Sequence, residues 1–286
     1  MAQPEFKLYS GLEIGPVCLR TKNLDTMLAF YEDDFGLKAV GRDGSYTALG
    51  TGPTTEPIVI LHNDEKSLIP PPNATGLYHY ALLVPDRRGL AAAYLSLGEK
   101  GVAFDGYADH QVSEALYLTD PDGNGIEIYR DRPRSDWKFD EGVVEMTTDP
   151  LDLDSLIKEL AHDNAPMRTL ADGTRVGHVH LKVSELQASM AFYRDGLGFD
   201  VMRYYGNAAF LSAGGYHHHI GLNTWESLGG PPTRKTWTGL EYLTFKMPET
   251  NLVELSSRLG DATGQGDSKQ LFVSDPDDIS LVFKAS

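Results

Sequence analysis

Three consecutive histidines, His217, His218 and His219, stand in the stretch GGYHHHIGLN. They lie well inside the chain, so they are not a tag at one of its ends. The imidazole side chain changes its charge near neutral pH and binds metals in its neutral form, so such residues can move protons or hold an ion. Which role applies depends on the strands and helices that carry them.

The overall composition excludes several classes of function. The chain has 286 residues, a formal net charge of −16 and a sequence pI of about 4.9, which argues against nucleic acid or an anionic membrane surface as a partner. Its one cysteine, Cys18, rules out an internal disulfide and a thiolate metal cluster. The sequence shows neither a signal peptide nor an apolar run of roughly 18–20 residues. We therefore expect a cytoplasmic protein.

The chain contains an internal repeat. Residues 17–37 (VCLRTKNLDTMLAFYEDDFGL) align without a gap with residues 179–199 (VHLKVSELQASMAFYRDGLGF), at an offset of 162 residues. Both copies show an alternating strand pattern, then a helix with an aromatic pair, then a stop that contains glycine. The same offset pairs 47–52 with 209–214, where alternation and glycine predict further strands.

A second repeated pair follows each copy. Residues 76–85 (GLYHYALLVP) align with 239–248 (GLEYLTFKMP), and 116–129 (LYLTDPDGNGIEIY) align with 271–284 (LFVSDPDDISLVFK). The chain therefore divides into four modules of roughly 50–60 residues, which we number 1 to 4 in chain order. Each is predicted to have the order strand–helix–strands.

These modules predict an α+β protein. We expect an N-terminal module pair in residues 1–135, a linker in 136–172 and a C-terminal module pair in 173–286. The linker carries one predicted helix at 151–161 (LDLDSLIKELA), which has aspartate and serine near its start.

The repeated motifs resemble a known superfamily. Four βαβββ modules with the ending DPDGNGIEIY are similar to the vicinal oxygen chelate superfamily, also called the glyoxalase, bleomycin resistance and dioxygenase fold. Within it, GHVHLKV, GLYHYALLVP, DHQVSEALYLTDPDGNGIEIYRDRP and GGYHHHIGLNTW resemble the two-domain extradiol ring-cleaving dioxygenases of the catechol 2,3-dioxygenase type. The resemblance covers nearly the whole chain. It implies that paired modules close two half-open barrels, with metal ligands on the first and last strands of a module.

The resemblance also implies an activity. We expect an enzyme that cleaves a catechol-type aromatic ring with O2 at a mononuclear non-haem Fe(II) centre, with Mn(II) as an alternative metal. The expected partners are a small aromatic diol and O2, and the expected assembly is a homo-oligomer without nucleic acid or membrane.

Three residues of the middle modules match the ligands that the resemblance implies. They are absent from the outer copies: His79 is Tyr242 in module 4, Glu127 is Val282 in module 4, and His178 is Pro16 in module 1. Two imidazoles and one carboxylate form the ligand set of non-haem Fe(II) oxygenases and leave positions open for substrate and O2. Singly, each residue could be an ordinary strand residue. Jointly, at corresponding points of a repeat, they favour a metal site.

The positions of these ligands depart from the commonest arrangement that the resemblance implies, in which modules 3 and 4 close the active barrel. Here module 4 lacks the ligands and module 2 carries them. We therefore predict that module 2 pairs with module 3, and that modules 1 and 4 form a vestigial pair. The alternative is that two subunits of a dimer contribute ligands to one metal.

The three histidines are predicted to lie on a strand. Side chains of a strand alternate, so His217 and His219 would share one face and His218 would face the other way, in an outward or structural role. The resemblance matches His219 to the family's acid–base catalyst. A surface cluster of histidines, or a second metal site, is the alternative.

Two further residues acquire roles through the resemblance. Tyr117 precedes Glu127 by ten residues and is Phe272 in module 4, and His110 aligns with Gln265. The family uses a tyrosine and a histidine at these places to hydrogen-bond oxygens of the metal-bound substrate. We assign no role to His180.

Two other functions remain open. A glyoxalase-like isomerase or lyase would have a second carboxylate on the last strand of the partner module, but module 3 has none between His217 and Asn223. A metal-free small-molecule binding protein of the same superfamily would not need the two histidines and the glutamate.

Overall fold

In the computed structural model, residues 6–140, 143–161, 168–260 and 269–286 are described. Module 1 consists of β1 (Glu13–Thr21), α1 (Leu24–Ala29), β2 (Lys38–Asp43), β3 (Tyr46–Gly50) and β4 (Val59–Asn63). Module 2 consists of β5 (Gly76–Leu83), α2 (Arg87–Glu99), β6 (Gly106–Asp109), β7 (Ser113–Thr119) and β8 (Gly125–Asp131). The linker carries β9 (Phe139–Asp140), β10 (Val143–Val144) and α3 (Leu153–Lys158).

The second half of the chain repeats this order. Module 3 consists of β11 (Arg175–Lys182), α4 (Leu186–Met190), β12 (Asp200–Tyr205), β13 (Ala208–Ser212) and β14 (Ile220–Asn223). The described part of module 4 consists of β15 (Gly239–Met247), α5 (Glu249–Leu259), β16 (Gln270–Ser274) and β17 (Ser280–Ala285).

The first helix of modules 1 and 3 ends in a wider turn at the repeated aromatic pair. A π-helical turn at Phe30–Asp34 continues α1, and one at Ala191–Gly196 continues α4. This turn buries Tyr31 and Tyr193 completely. The repeated sequence motif thus corresponds to a repeated local structure.

The strands form two large sheets. One has the order β16-β17-β15-β1-β4-β3-β2 and combines strands of modules 4 and 1. The other has the order β12-β13-β14-β11-β5-β8-β7-β6 and combines strands of modules 3 and 2. This is the pairing expected from the distribution of the histidines and the glutamate among the modules.

In the two middle modules the first strand pairs in parallel with the last. Strand β5 pairs with β8 so that Ala81 lies opposite Glu127. Strand β11 pairs with β14 so that His180 lies opposite Gly221. Ala81 and His180 each follow the first-strand histidine of their module by two residues, so Glu127 and Gly221 occupy equivalent places.

The described chain divides into two compact units. One unit consists of the described residues of Met1–Cys18, Leu68–Tyr78 and His178–Ser286. In its core, the ring centroid of Phe245 lies 5.9 Å from that of Phe199 and 4.8 Å from that of Phe283. Full burial of one such side chain contributes about 1.5–3 kcal/mol to stability.

The other unit consists of the described residues of Leu19–Ser67 and His79–Gly177. Its core includes the rings of Phe30 and Phe35, 5.0 Å apart, and the buried tyrosines Tyr31 and Tyr80. Both units draw on both halves of the sequence. The predicted division of the sequence at residues 135 and 173 stays a prediction.

Local structure differs from the expectations in two places. The linker helix is shorter than predicted: α3 begins after Asp152, whose side chain accepts a hydrogen bond from the backbone N–H of Ser155, and it ends at Lys158. The histidines 217–219 lie in an irregular segment before β14, with bends at His217 and His219, and not in a strand, so the alternation of side chains does not apply to them. The cause is visible just before them, where Gly214 and Gly215 take positive φ values of 65° and 68° and turn the chain.

Within the described ranges, no helix combines the length and the apolar character needed to cross a bilayer.

Candidate metal centre

His79 and Glu127 lie side by side on the paired strands β5 and β8. The Nε2 atom of His79 is 3.1 Å from Oε2 of Glu127. Both side chains are buried, and a carboxylate that is removed from water needs a donor or a cation close by. The pair is therefore suited to share a proton or to bind one ion together.

His178 on β11 completes a group of three. Each of His79, Glu127 and His178 offers one ligand atom, and these atoms all lie within 4.8 Å of one another. The residues are 7 %, 3 % and 1 % exposed, respectively. In the described part of the chain, no other group of three or more His, Cys, Asp or Glu residues meets this distance condition.

This donor set fits the metal that the resemblance implies. Two imidazole nitrogens and one carboxylate oxygen match the ligand preference of Fe(II), and also of Mn(II). The structure places all three residues on strands, as expected, and brings them together. Their assignment as ligands stays a proposal.

His110 and Tyr117 form a hydrogen-bonded pair near His79. The Nε2 atom of His110 is 2.7 Å from the hydroxyl oxygen of Tyr117, and its Nδ1 atom is 2.6 Å from the carbonyl oxygen of Thr147. The ring centroid of Tyr117 lies 5.8 Å from that of His79. The predicted counterpart of His110 in module 4, Gln265, lies outside the described residues.

All three consecutive histidines are buried, and they contact different neighbours. The ring of His218 lies 4.1 Å from that of His178, and the ring of His217 lies 5.9 Å from it. The Nδ1 atoms of His217 and His218 are 2.8 Å apart, so one of them donates to the other. Of the two alternatives predicted for His218, an outward position is therefore wrong, because the ring is buried and an irregular segment replaces the predicted strand, whereas a structural role stays a prediction.

The ring of His219 is positioned by contacts with Ser212 and Ala213. Its Nδ1 atom accepts a hydrogen bond from the backbone N–H of Ala213 at 3.2 Å and lies 3.0 Å from the hydroxyl of Ser212. Because a ring nitrogen that accepts cannot carry a proton, the proton of the neutral ring is on Nε2.

The residue of module 3 that is equivalent to Glu127 is Gly221. A Cβ atom at Gly221 would lie 2.8 Å from the ring of His180. This ring is buried against Tyr78, Phe210 and Trp225, with centroid distances of 5.2, 5.7 and 5.5 Å. Module 3 therefore offers no second carboxylate at this place, and His180 occupies the space beside it.

Two features of the site were missed by sequence reasoning. The contact of His218 with His178 depends on the bends, although the run of histidines drew attention to the segment. The linker carbonyl of Thr147 had no sequence signal, because a backbone atom leaves no trace in the residue type and the linker has no repeated copy.

Comparison with known proteins identifies the superfamily. The family described as "Glyoxalase/Bleomycin resistance protein/Dioxygenase superfamily" matches residues 13–128 and 175–283. The chain belongs to this superfamily, and the predicted α+β class with βαβββ modules of this fold is confirmed.

Two relatives of known name show the kind of enzyme. The chain is 42% identical over 254 residues to the catechol-2,3-dioxygenase of Bacillus subtilis (strain 168). This alignment covers 87% of this chain and 87% of that protein. It is 30% identical over 137 residues to biphenyl-2,3-diol 1,2-dioxygenase 3 of Rhodococcus globerulus. That alignment covers 46% of this chain and 72% of that protein. The prediction of a catechol 2,3-dioxygenase-like enzyme is confirmed by the first relationship.

Solved structures share the fold. A putative dioxygenase from Bacillus subtilis subsp. subtilis str. 168 aligns with a TM-score of 0.64 and 12% identity, over 98% of this chain and 86% of that chain. Glyoxalase I from Zea mays aligns with a TM-score of 0.54 and 17% identity, over 96% of this chain and 92% of that chain. At these identities the likeness concerns the fold alone.

Proposed function

We propose that the protein is an extradiol dioxygenase that opens a catechol-type ring with O2 at a mononuclear non-haem Fe(II) centre. The observation that carries the proposal is the buried set His79, Glu127 and His178, with its ligand atoms within 4.8 Å of one another. Three protein ligands leave coordination positions open for a diol and O2. The 42% identity to the catechol-2,3-dioxygenase of Bacillus subtilis supports the same chemistry. Mn(II) is the alternative metal.

In this proposal His79, Glu127 and His178 hold the metal. When bound, it supplies a Lewis acid for the diol oxygens and the redox chemistry that O2 requires. The overall reaction breaks one ring carbon–carbon bond next to the diol, and both atoms of O2 enter the product.

Tyr117 and His110 orient the substrate oxygens. The ring of Tyr117 lies beside that of His79, and its hydroxyl is fixed by a 2.7 Å hydrogen bond with His110. A hydroxyl oxygen whose direction is already fixed can hold a substrate hydroxyl in one orientation, so little reorganisation is needed during the reaction.

A histidine of the run 217–219 moves the proton. For His219 the working atom is Nε2, because Nδ1 accepts the N–H of Ala213. His218 has independent support, since its ring lies 4.1 Å from that of His178, a proposed ligand. We therefore keep His219 as the acid–base catalyst matched by the resemblance, with His218 as its rival.

A glyoxalase-like isomerase or lyase is the second candidate. It would use a second carboxylate on the last strand of the partner module, and Gly221 stands there instead. A side chain at this position would collide with the ring of His180. The lack of room for a second carboxylate at Gly221 supports the dioxygenase proposal over the isomerase or lyase. A metal-free binding protein, the third candidate, would have no need for a buried carboxylate beside two buried histidines.

The experiment that tests the proposal is anaerobic loading with Fe(II), followed by catechol and air. We expect O2 uptake and a yellow ring-fission product from the wild type. The variant His178→Ala should give neither. The matched control is His62→Ala, which removes a histidine of β4 stacked on Tyr46 at 4.2 Å, and it should keep the activity.

Other outcomes contradict the proposal. Bound metal without O2 uptake, over a series of catechols and hydroquinones, would indicate isomerase or lyase chemistry. No bound metal in the wild type would indicate a binding protein.

The two candidate proton carriers are separated by His218→Gln and His219→Gln. The variant that removes the acid–base catalyst should lose about 10²–10⁴-fold in kcat while its iron content stays at the wild-type level. Full kcat in both variants would contradict a proton-transfer role for this segment.

Location and assembly are also proposals. The low cysteine content supports the cytoplasm, and the resemblance supports a homo-oligomer. Sedimentation equilibrium of the purified chain would measure the number of subunits.

A further inference from the structure

The linker reaches the turn that carries His110. Residues Asp109 and Asp149 form an antiparallel bridge, in which the N–H of Asp109 donates to Asp149 O at 2.8 Å and the N–H of Asp149 donates to Asp109 O at 2.9 Å. Asp109 ends β6, and His110 follows it directly. The backbone of residues 147–149 is therefore held beside His110.

The contact between His110 and the carbonyl oxygen of Thr147 determines which ring nitrogen of His110 carries the proton. A carbonyl oxygen can only accept, so the Nδ1 atom, 2.6 Å from the carbonyl oxygen of Thr147, must be the donor. In a neutral ring Nε2 then has no proton and can only accept. Since Nε2 lies 2.7 Å from the hydroxyl oxygen of Tyr117, the Tyr117 hydroxyl donates a hydrogen bond to His110.

We propose that the linker segment 147–149 is a positioning element of the active site, which selects the tautomer of His110 and through it the direction of the Tyr117 hydroxyl. The lone pairs of the Tyr117 oxygen are then directed to accept a hydrogen bond from a substrate hydroxyl. The catalytic consequence rests on the proposed function, whereas the tautomer is a property of the protein alone.

The side chain of Asp149 holds this segment in place. Its Oδ2 atom accepts hydrogen bonds from the hydroxyl of Thr147 at 2.6 Å and from Nε2 of Gln111 at 3.0 Å. Gln111 has a φ of 68°, a conformation that is unfavourable for a residue with a side chain, so the turn needs such support. The bond from Thr147, and then that from Gln111, lowers the pKa of Asp149, so its carboxylate is ionised at neutral pH.

The test is a measurement of the His110 tautomer in the full-length, metal-free chain. Long-range ¹H–¹⁵N correlation spectra distinguish a protonated from an unprotonated ring nitrogen, and His110→Asn assigns the signals by their loss. We expect protonated Nδ1 and unprotonated Nε2 in the wild type. In Asp149→Ala both nitrogens should shift towards the average values of free imidazole.

A matched control is Asp172→Ala, which removes another linker carboxylate, bonded to Arg168 at 3.0 Å. Its spectrum of His110 should equal that of the wild type. A wild-type ring protonated on Nε2, or a tautomer that Asp149→Ala leaves unchanged, would overturn the inference.

Kinetics test the catalytic consequence. With an active enzyme, Asp149→Ala should lower kcat about tenfold while KM and bound metal stay the same. Asp149→Asn keeps an acceptor oxygen and should recover most of kcat. An active enzyme whose kcat is equal in Asp149→Ala would overturn the positioning role. If the wild type cleaves no catechol but shows the expected change of tautomer, the proposed function fails and the structural part of the inference is supported.

Discussion

The hydroxyl of Tyr31 donates a 2.9 Å hydrogen bond to the buried carboxylate of Asp120. Tyr193 and Asp275 repeat this bond at 3.1 Å. Each tyrosine belongs to the aromatic pair after a module's first helix, and each aspartate begins the DPD turn of the next module. The sheets combine module 1 with 4 and module 2 with 3, whereas these bonds join module 1 to 2 and module 3 to 4.

The two buried aspartates predict a pH-dependent stability. Burial raises the pKa of Asp275 to about 7 and that of Asp120 to about 6, from an ordinary value of 3.8, although hydrogen bonds to backbone N–H groups act in the opposite direction. The folded state thus binds these protons more tightly than the unfolded state. The resulting stabilisation is complete below about pH 4 and is lost as pH rises to about 7.

The variant Asp275→Asn tests this dependence. Between pH 4 and 7 its free energy of unfolding should fall less steeply than that of the wild type, by at most about 1.4 kcal/mol per pH unit. Urea unfolding at several pH values measures the slope. The control is Asp278→Asn, an exposed change in the same turn. Equal slopes in wild type and Asp275→Asn would contradict the role of this carboxyl.

Metal binding should stabilise the folded chain. An ion that binds only the folded state adds about 3 kcal/mol at a hundredfold excess over Kd. Scanning calorimetry with Mn(II), which resists oxidation in air, should show a higher Tm for the wild type and for His62→Ala. The variants His79→Ala and Glu127→Ala should show no such rise. A rise that persists in both would place the ion elsewhere.

Tyr117 and His110 should act as one unit. The change Tyr117→Phe removes the hydroxyl and His110→Asn removes its partner, so we expect each to lower kcat by about 10–100-fold with unchanged bound iron. Because either change breaks the same hydrogen bond, the double variant should be little slower than the worse single variant. Steady-state kinetics of the three variants measure this, and fully multiplicative effects would show that the residues act separately.

Gly221 should not tolerate a side chain. A Cβ atom would lie 2.8 Å from the ring of His180, so Gly221→Ala should destabilise the fold by about 1–3 kcal/mol. The control is Gly98→Ala in α2, where no atom lies within 4 Å of the added Cβ, and which should stabilise by about 0.5–1 kcal/mol. Urea unfolding compares the two. A stable Gly221→Ala protein would mean that the His180 ring can move aside.

The candidate ligand set could be proposed from the sequence because the resemblance to the superfamily implies where ligands lie, and because the chain contains its own comparison. His79 and Glu127 differ from their copies in module 4, and His178 differs from its copy in module 1. A strand pairing follows from this, since residues that share one ion must lie on neighbouring elements. The sheet order β14-β11-β5-β8 agrees with that reasoning.

The orientations of His217, His218 and His219 could not be predicted from the sequence. Alternation is a property of a regular strand, and glycines at positive φ turn the chain before His217, so residue order no longer indicates which ring faces His178. Only the folded backbone shows that the ring of His218 lies 4.1 Å from that of His178.

The modules and their order could be predicted from the amino acids alone, because a duplication leaves a repeat that can be read without a structure. The residue types of the candidate site followed from the resemblance to the superfamily and from the differences between the copies. The folded backbone was needed to show which imidazole rings contact one another and which nitrogen of His110 carries a proton. The reason is physical: the proton position depends on a carbonyl oxygen of Thr147, 37 residues away in the chain, and every residue type has the same carbonyl.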